Sequence, residues 1–154
     1  MSADADRDTE LLLEVRRRRA ELRSSMSVLE HALASPTRAG GGAGWSGRLG
    51  DALRGLYDDF GQHVEITEGP DGLYAELAQH SPRLEHAVIR LVEEHGEIMR
   101  RLEELLAWTD VEQGADAVEA RRAGTELLGV LMRHRQRGAD LIFEAFQLDI
   151  GGET

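Results

Sequence analysis

The segment that decides the fold is LEHAVIRLVEEHGEIMRRLEEL, residues 84–105. Its apolar side chains recur at spacings of three and four residues, which is the period of one face of an α-helix. Ser81 and Pro82 precede it and suit an N-cap and a first helical position, so we predict a helix from there to about Trp108. The apolar stripe includes one histidine and consists of Leu84, Val88, Leu91, Val92, His95, Ile98, Met99, Leu102 and Leu105.

Three further segments have the same period and are separated by helix-breaking clusters. They span about residues 9–34, about 45–67, and from a start within 111–115 to Gly151-Gly152. A glycine-rich connector covers residues 39–44, and Gly69-Pro70-Asp71-Gly72 predicts a turn before a short helical segment at 73–79. Four amphipathic helices with short connections predict an all-α fold, an antiparallel up-down-up-down four-helix bundle, as one domain over residues 1–154.

Composition narrows the classes of function. The 154 residues include no cysteine, which excludes disulfides, zinc–thiolate sites and iron–sulfur clusters. The formal net charge of −11 repels phosphate backbones and anionic lipid, so we expect neither a nucleic-acid nor a membrane partner. The sequence contains no apolar run of membrane-spanning length and opens on a polar, acidic segment, which favours a cytoplasmic location. We expect a monomer or a homodimer.

Three histidines lie on the apolar stripes of three different predicted helices. His63 belongs to the second helix, His95 to the third and His134 to the fourth. In a bundle, each would direct its imidazole into the common core, where a neutral ring needs a polar partner. The spacing therefore predicts either a metal site or a hydrogen-bonded polar core. The other histidines, which we expect at the surface, are His31, His80 and His86.

Three stretches resemble the motifs of the hemerythrin-like (HHE cation-binding) family. They are FGQHVEITEGPDGLY at residues 60–74, LVEEH at 91–95 and HRQRGADLIFEA at 134–145. The likeness runs from about residue 10 to 150, and the branch looks actinobacterial, in keeping with basic residues that are all arginine. The resemblance implies a four-helix bundle with a non-haem di-iron centre, used for oxygen binding, sensing or peroxide chemistry. It also assigns His63, His95 and His134 to ligand positions.

The ligand set that the resemblance implies is incomplete. The bridging carboxylate expected four residues after His63 is replaced by Thr67, and Glu68 follows one position later. Gly138 and Ala139 stand where the fourth helix should carry a carboxylate.

On the first helix, the expected ligand falls near Arg19, at the end of the run Arg16–Arg19. That run is either a solvated charge cluster or the source of an arginine that pairs with a core carboxylate in place of a metal. Asp59 lies one turn before His63, where it could replace the missing bridging carboxylate or orient His63 from outside the coordination sphere.

The favoured function is that of a hemerythrin-like protein that binds non-haem iron, as one ion or a sub-stoichiometric pair, and binds or senses oxygen, nitric oxide or peroxide. We find no residue pattern for enzymatic catalysis, such as a Ser–His–Asp order or a phosphate loop. The predicted metal ligands are His63, His95 and His134, with carboxylate help from Glu68 or Asp59.

The alternative function is a metal-free bundle that acts as an interaction or small-ligand-binding module. In that case the small residues Thr67, Gly138 and Ala139 would open a pocket where the ligands are missing.

Overall fold

The computed structural model describes residues 2–36, 42–109 and 117–148. Five α-helices are present there: α1 (Ser2–Ala34), α2 (Gly42–Glu68), α3 (Leu73–His80), α4 (Glu85–Thr109) and α5 (Ala117–Phe143). A 3₁₀ turn, Pro82–Leu84, precedes α4, and a π-helical turn, Glu144–Leu148, follows α5. No strand occurs in these three ranges, and none of their helices is long and apolar enough to cross a membrane.

The four long helices form a closed bundle. Helix α1 packs against α2, α2 against α4, α4 against α5, and α5 returns to α1. The short helix α3 covers one end, where it contacts α2 and α1. The predicted four-helix bundle is confirmed.

The helix boundaries differ from the predicted ones in two places. Helix α1 begins at Ser2 rather than near Thr9, because acidic side chains in residues 2–8 favour the N-terminal end of a helix dipole. The third long helix begins at Glu85, since Pro82 opens a 3₁₀ turn and not the α-helix itself. The predicted start and end of the last helix, at 111–115 and 151–152, lie outside the described residues.

Two apolar clusters fill the bundle. The larger one includes Leu22, Trp45, Phe60 and Ile98, and the smaller one, at the α3 end, includes Tyr74 and Leu141. Residues from both clusters border the three buried histidines. The two clusters therefore shield the imidazole rings from water on both sides. Leu141, on the apolar face of α5, is only 3% exposed, so this face points into the core.

Candidate metal centre

The structure brings the three stripe histidines together. His63, His95 and His134 are 5%, 2% and 2% exposed, and one ring nitrogen from each lies within 4.8 Å of those of the other two. The Nε2 atoms of His63 and His134 are 3.3 Å apart. Three separate helices thus present nitrogen ligands to one point in the core.

Aromatic rings enclose this cluster. Phe60, one turn before His63 on α2, has its ring centroid 5.5, 5.5 and 6.0 Å from those of His63, His95 and His134. Tyr74, from α3, stacks on His95 with a centroid distance of 5.9 Å and an interplanar angle of 18°. The histidines therefore sit in a region of low polarity, where charged forms are disfavoured.

Two carboxylates orient two of the rings. Glu68 lies 2.6 Å from Nδ1 of His95, and Glu94 lies 2.8 Å from Nδ1 of His134. An ionised carboxylate only accepts hydrogen bonds, so each ring donates from Nδ1 and keeps its lone pair on Nε2. Carboxylates in this outer position are typical of histidines that bind metals through the other nitrogen.

Glu94 is itself held by other side chains. Arg137 on α5 forms an ion pair with it, and Arg90 on α4 lies 3.8 Å away. Burial acts to raise the pKa of Glu94, but the hydrogen bonds from Arg137 and His134 outweigh that effect and leave the pKa below its ordinary value. Glu94 is therefore an anion that fixes the orientation of His134.

Burial keeps the imidazoles neutral. It lowers the pKa of His63 to about 2 and that of His95 to about 3, and the neighbouring histidines contribute to the same direction. The pKa of His134 is also lowered by burial, although Glu94 opposes the change. Metal ions bind the neutral form of histidine, so these rings are ready to bind at neutral pH.

The donor set fits a divalent metal ion. The buried Nε2 of His95 has no hydrogen-bond partner among the described residues, although nearly all buried polar atoms in proteins have one. Two nitrogen ligands with bonds of about 2.1 Å at a tetrahedral angle would lie about 3.4 Å apart. The Nε2 atoms of His63 and His134 are 3.3 Å apart, which is near that spacing and is also a hydrogen-bond distance, with His63 the donor in the metal-free protein.

The two predicted carboxylate ligands make other contacts. Glu68 reaches Nδ1 of His95, the nitrogen that faces away from its unpartnered Nε2, and so acts as an outer partner. Asp59 accepts a hydrogen bond from Ser25 on α1. Asp59 does not orient His63, because Nδ1 of His63 has no hydrogen-bond partner in the described part of the chain.

The positions that the resemblance assigns to missing ligands border one small cavity. The cavity has a volume of about 10 Å³, and its polar lining is Arg19, His63, Thr67, Tyr74 and His134. That volume is close to the minimum for one water molecule. Thr67 and Gly138 border a space of this size only, and Arg19 Nη1 lies 3.1 Å from where a Cβ at Gly138 would stand.

The arginine run separates into different environments. Arg16 and Arg17 are exposed, and Arg18 pairs with Glu14. Arg19 alone turns inward, where its Nη2 donates a hydrogen bond to the carbonyl of Arg135 at 3.3 Å. It forms no ion pair within residues 2–36, 42–109 and 117–148, so the predicted pairing with a core carboxylate is wrong.

Sequence reasoning missed three residues at this site, which are Glu94, Arg137 and Tyr74. Glu94 was detectable in part, since it lies three residues after Leu91 and four before Ile98, at the edge of the buried stripe. The contacts of Arg137 and Tyr74 depend on how helices α4, α5 and α3 approach one another, and helical spacing carries no signal for that.

Comparison with known proteins identifies one family. The profile of the hemerythrin HHE cation-binding domain matches residues 15–146, a span that includes all three histidines. No curated protein and no solved structure matches the chain. Because the match covers most of the sequence, the chain belongs to the hemerythrin HHE cation-binding domain family.

Proposed function

We propose that this protein binds one divalent metal ion through His63, His95 and His134 and offers the ion to a small ligand. The observation that carries the proposal is the convergence of three neutral, buried imidazoles. Two of them are held by carboxylates in a tautomer that leaves Nε2 available. When bound, the ion would be held by His63, His95 and His134 and would supply the capacity to bind and polarise a small ligand.

One ion is favoured over two. A metal pair of this type needs bridging carboxylates, and Glu68 and Glu94 are instead engaged on the outer nitrogens of His95 and His134. In addition, Arg19 places a positive charge in the adjacent cavity, which opposes a second cation there. Imidazole ligands suit iron, zinc and copper, and membership of the family directs the proposal to non-haem iron. The ligands proposed are oxygen, nitric oxide and peroxide.

Metal analysis tests the proposal directly. Protein is purified without chelator and without added metal, and its iron, zinc and copper are measured by plasma mass spectrometry before and after loading with Fe(II) under anaerobic conditions. We expect about one ion per chain after loading. We expect His95→Ala to lose the ion, since His95 is a buried ligand, and His86→Ala to keep it, since His86 is exposed on the same helix.

A second group of residues provides the sharpest control. Asp8, Glu76 and His80 form a surface cluster with ligand atoms within 4.8 Å of one another. If His95→Ala retained its metal while His80→Ala lost it, the ion would belong to that surface cluster and the proposal would be overturned. If the loaded protein held no metal at all, the proposal would also fail, and the metal-free interaction module would be the better function.

A further inference from the structure

We infer that the groove between α1 and α5 is a docking site for an acidic amphipathic helix of a partner protein. The groove has a volume of about 900 Å³, and exposed residues of both helices line it, so it is open to solvent. Its lining within the described residues includes none of the three core histidines, so the inference does not depend on the metal site. The charged part of the lining is mainly three arginines, Arg23, Arg121 and Arg135.

The groove has the length of a short helix. Helices α1 and α5 run antiparallel along it, with Arg23 beside Arg135 at one end. At the other end, Nε of Arg121 donates to the carbonyl of Leu33 at 3.0 Å. Arg121 and Arg135 are both on α5, and at 1.5 Å per residue they lie about 21 Å apart along its axis. A groove between two helices over this length suits an amphipathic helix laid along it.

Apolar side chains form the floor of the groove. Met26 and Leu33 on α1 are 7% and 6% exposed, and Leu128 on α5 is half-buried. Met132, one turn after Leu128, also lines the groove but is 65% exposed. Methionine is flexible and adapts to different apolar partners. The apolar face of a docked helix would therefore cover Met132, which the bundle itself leaves in water.

The charge of the groove is opposite to that of the whole chain. Three arginines line it against one acidic residue, Glu30, whereas the chain has a formal net charge of −11. None of the three arginines forms an ion pair within the described part of the chain, although many other arginines there do, such as Arg18 and Arg122. The groove is therefore a local positive surface on an acidic protein, and it attracts an acidic partner.

The guanidinium groups at the two ends lack charged partners for different reasons. Arg121 is held by neutral groups, since it donates to the carbonyls of Leu33 and Ser35 and lies 5.1 Å from the ring centroid of Trp45. Nε of Arg135 is buried and has no hydrogen-bond partner among the described residues. Burial and the nearby charge of Arg23 lower the pKa of Arg135, but a guanidinium stays protonated in proteins. A carboxylate from outside would neutralise charges that the bundle leaves unpaired.

Charge and shape together select the occupant. A second copy docked through the same groove would bring the arginines of both copies together, and like charges across an interface repel. A long-chain carboxylate has its negative group at one end only, whereas the arginines stand at both ends of the groove. A helix with acidic residues near both ends and an apolar face between them matches the whole groove.

Fluorescence anisotropy with a defined peptide tests the inference. The probe is a fluorescein-labelled helical peptide of about 14 residues, the length that spans the groove, with leucine along one face and glutamate near both ends. A matched peptide carries glutamine in place of glutamate. We expect the acidic peptide to bind in the micromolar range, at least about tenfold more tightly than the glutamine peptide, and to weaken as salt is added.

Matched substitutions determine whether the peptide binds in the groove. Arg135→Met should raise the Kd for the acidic peptide roughly 10-fold, the loss expected for a charged hydrogen bond, and Met132→Ser should raise it about 3- to 10-fold through lost apolar contact. Arg23→Met, at an exposed position, is a second charge variant that preserves the core. Arg100→Met and Ile89→Ser change exposed residues of α4 outside the groove and should bind like the parent protein.

The contrary results are distinct from one another. Equal affinity for the acidic and glutamine peptides would reject the role of charge. An equal loss in Arg100→Met and Arg135→Met would show attraction by overall charge and not by the groove. Failure of both peptides to bind would overturn the inference as well. In that case, oleate binding that Arg135→Met abolishes would assign the groove to a fatty acid, and self-association in sedimentation velocity that Met132→Ser abolishes would assign it to a second copy.

Discussion

At the scale of single residues, the three histidines differ in what their Nδ1 atoms contact. His95 and His134 each donate to a carboxylate, whereas Nδ1 of His63 has no partner among the described residues. Apolar spacing was sufficient to predict that all three rings point into the core, because each lies three or four residues from a buried apolar side chain: Phe60 for His63, Leu91 and Ile98 for His95, and Leu131 for His134. It could not predict Glu94 as the partner of His134, because that contact joins side chains 40 residues apart on two helices.

The role of Glu94 leads to a test at the same scale. Glu94→Gln keeps the size of the side chain but removes its charge, so the hydrogen bond that orients His134 is weakened. Loss of such an outer carboxylate lowers metal affinity about 10- to 100-fold. Competition with a coloured chelator would measure the change in Kd. The adjacent Glu93 is exposed, and Glu93→Gln should bind metal like the parent protein; a matching loss in both variants would contradict the orienting role.

At the scale of secondary-structure elements, the turn between α2 and α3 positions Tyr74 over the histidines. The sequence Gly69-Pro70-Asp71-Gly72 predicted this turn through the conformational preferences of glycine and proline. The stacking of α3 on the cluster was not predictable, since Leu73–His80 is a short helix with no histidine motif that faces the core. Its position follows from packing against α2, which precedes it, and against α1, which is distant in sequence.

Gly72 provides the test of this element. A Cβ added there would lie 2.5 Å from the carbonyl oxygen of Ile66 and 2.9 Å from that of Thr67, both backbone atoms that cannot move independently. We expect Gly72→Ala to lower the free energy of unfolding by about 1–3 kcal/mol, measured by urea denaturation.

Gly55→Ala is the matched control for the same substitution. Gly55 lies within α2, and an added Cβ there would meet nothing within 4 Å. Alanine favours helix over glycine by about 1 kcal/mol, so this variant should be at least as stable as the parent. If Gly72→Ala were equally stable, the turn would not constrain α3 in the way described.

At the scale of the whole molecule, the bundle stabilises three neutral imidazoles that water would partly protonate. The apolar period predicted the bundle because burial of a helix face follows from sequence spacing alone. The protonation of the histidines could not be predicted in this way. It depends on the enclosure of the rings by Phe60, Tyr74 and two apolar clusters, which exists only after the helices have packed.

The buried histidines should therefore make the metal-free protein sensitive to acid. Unfolded histidine has a pKa of about 6.5, whereas burial lowers the pKa of His63 to about 2 and of His95 to about 3 in the folded state. Between these values the unfolded chain binds more protons than the folded one, so the stability falls as the pH falls below about 6.5. From pH 7 to pH 5, each of these two residues should cost about 2 kcal/mol of unfolding free energy.

Urea denaturation of chelator-treated protein at pH 7, 6 and 5 would measure this dependence. His86→Gln should show the same decline as the parent protein, because His86 is exposed and lies outside the cluster. Saturating metal should raise the stability at each pH by a similar amount, since the imidazoles of the folded state are already neutral across this range. A metal-free protein whose stability did not change between pH 7 and pH 5 would show that the three rings are accessible to protons in the folded bundle, and the neutral, closed cluster described above would be incorrect.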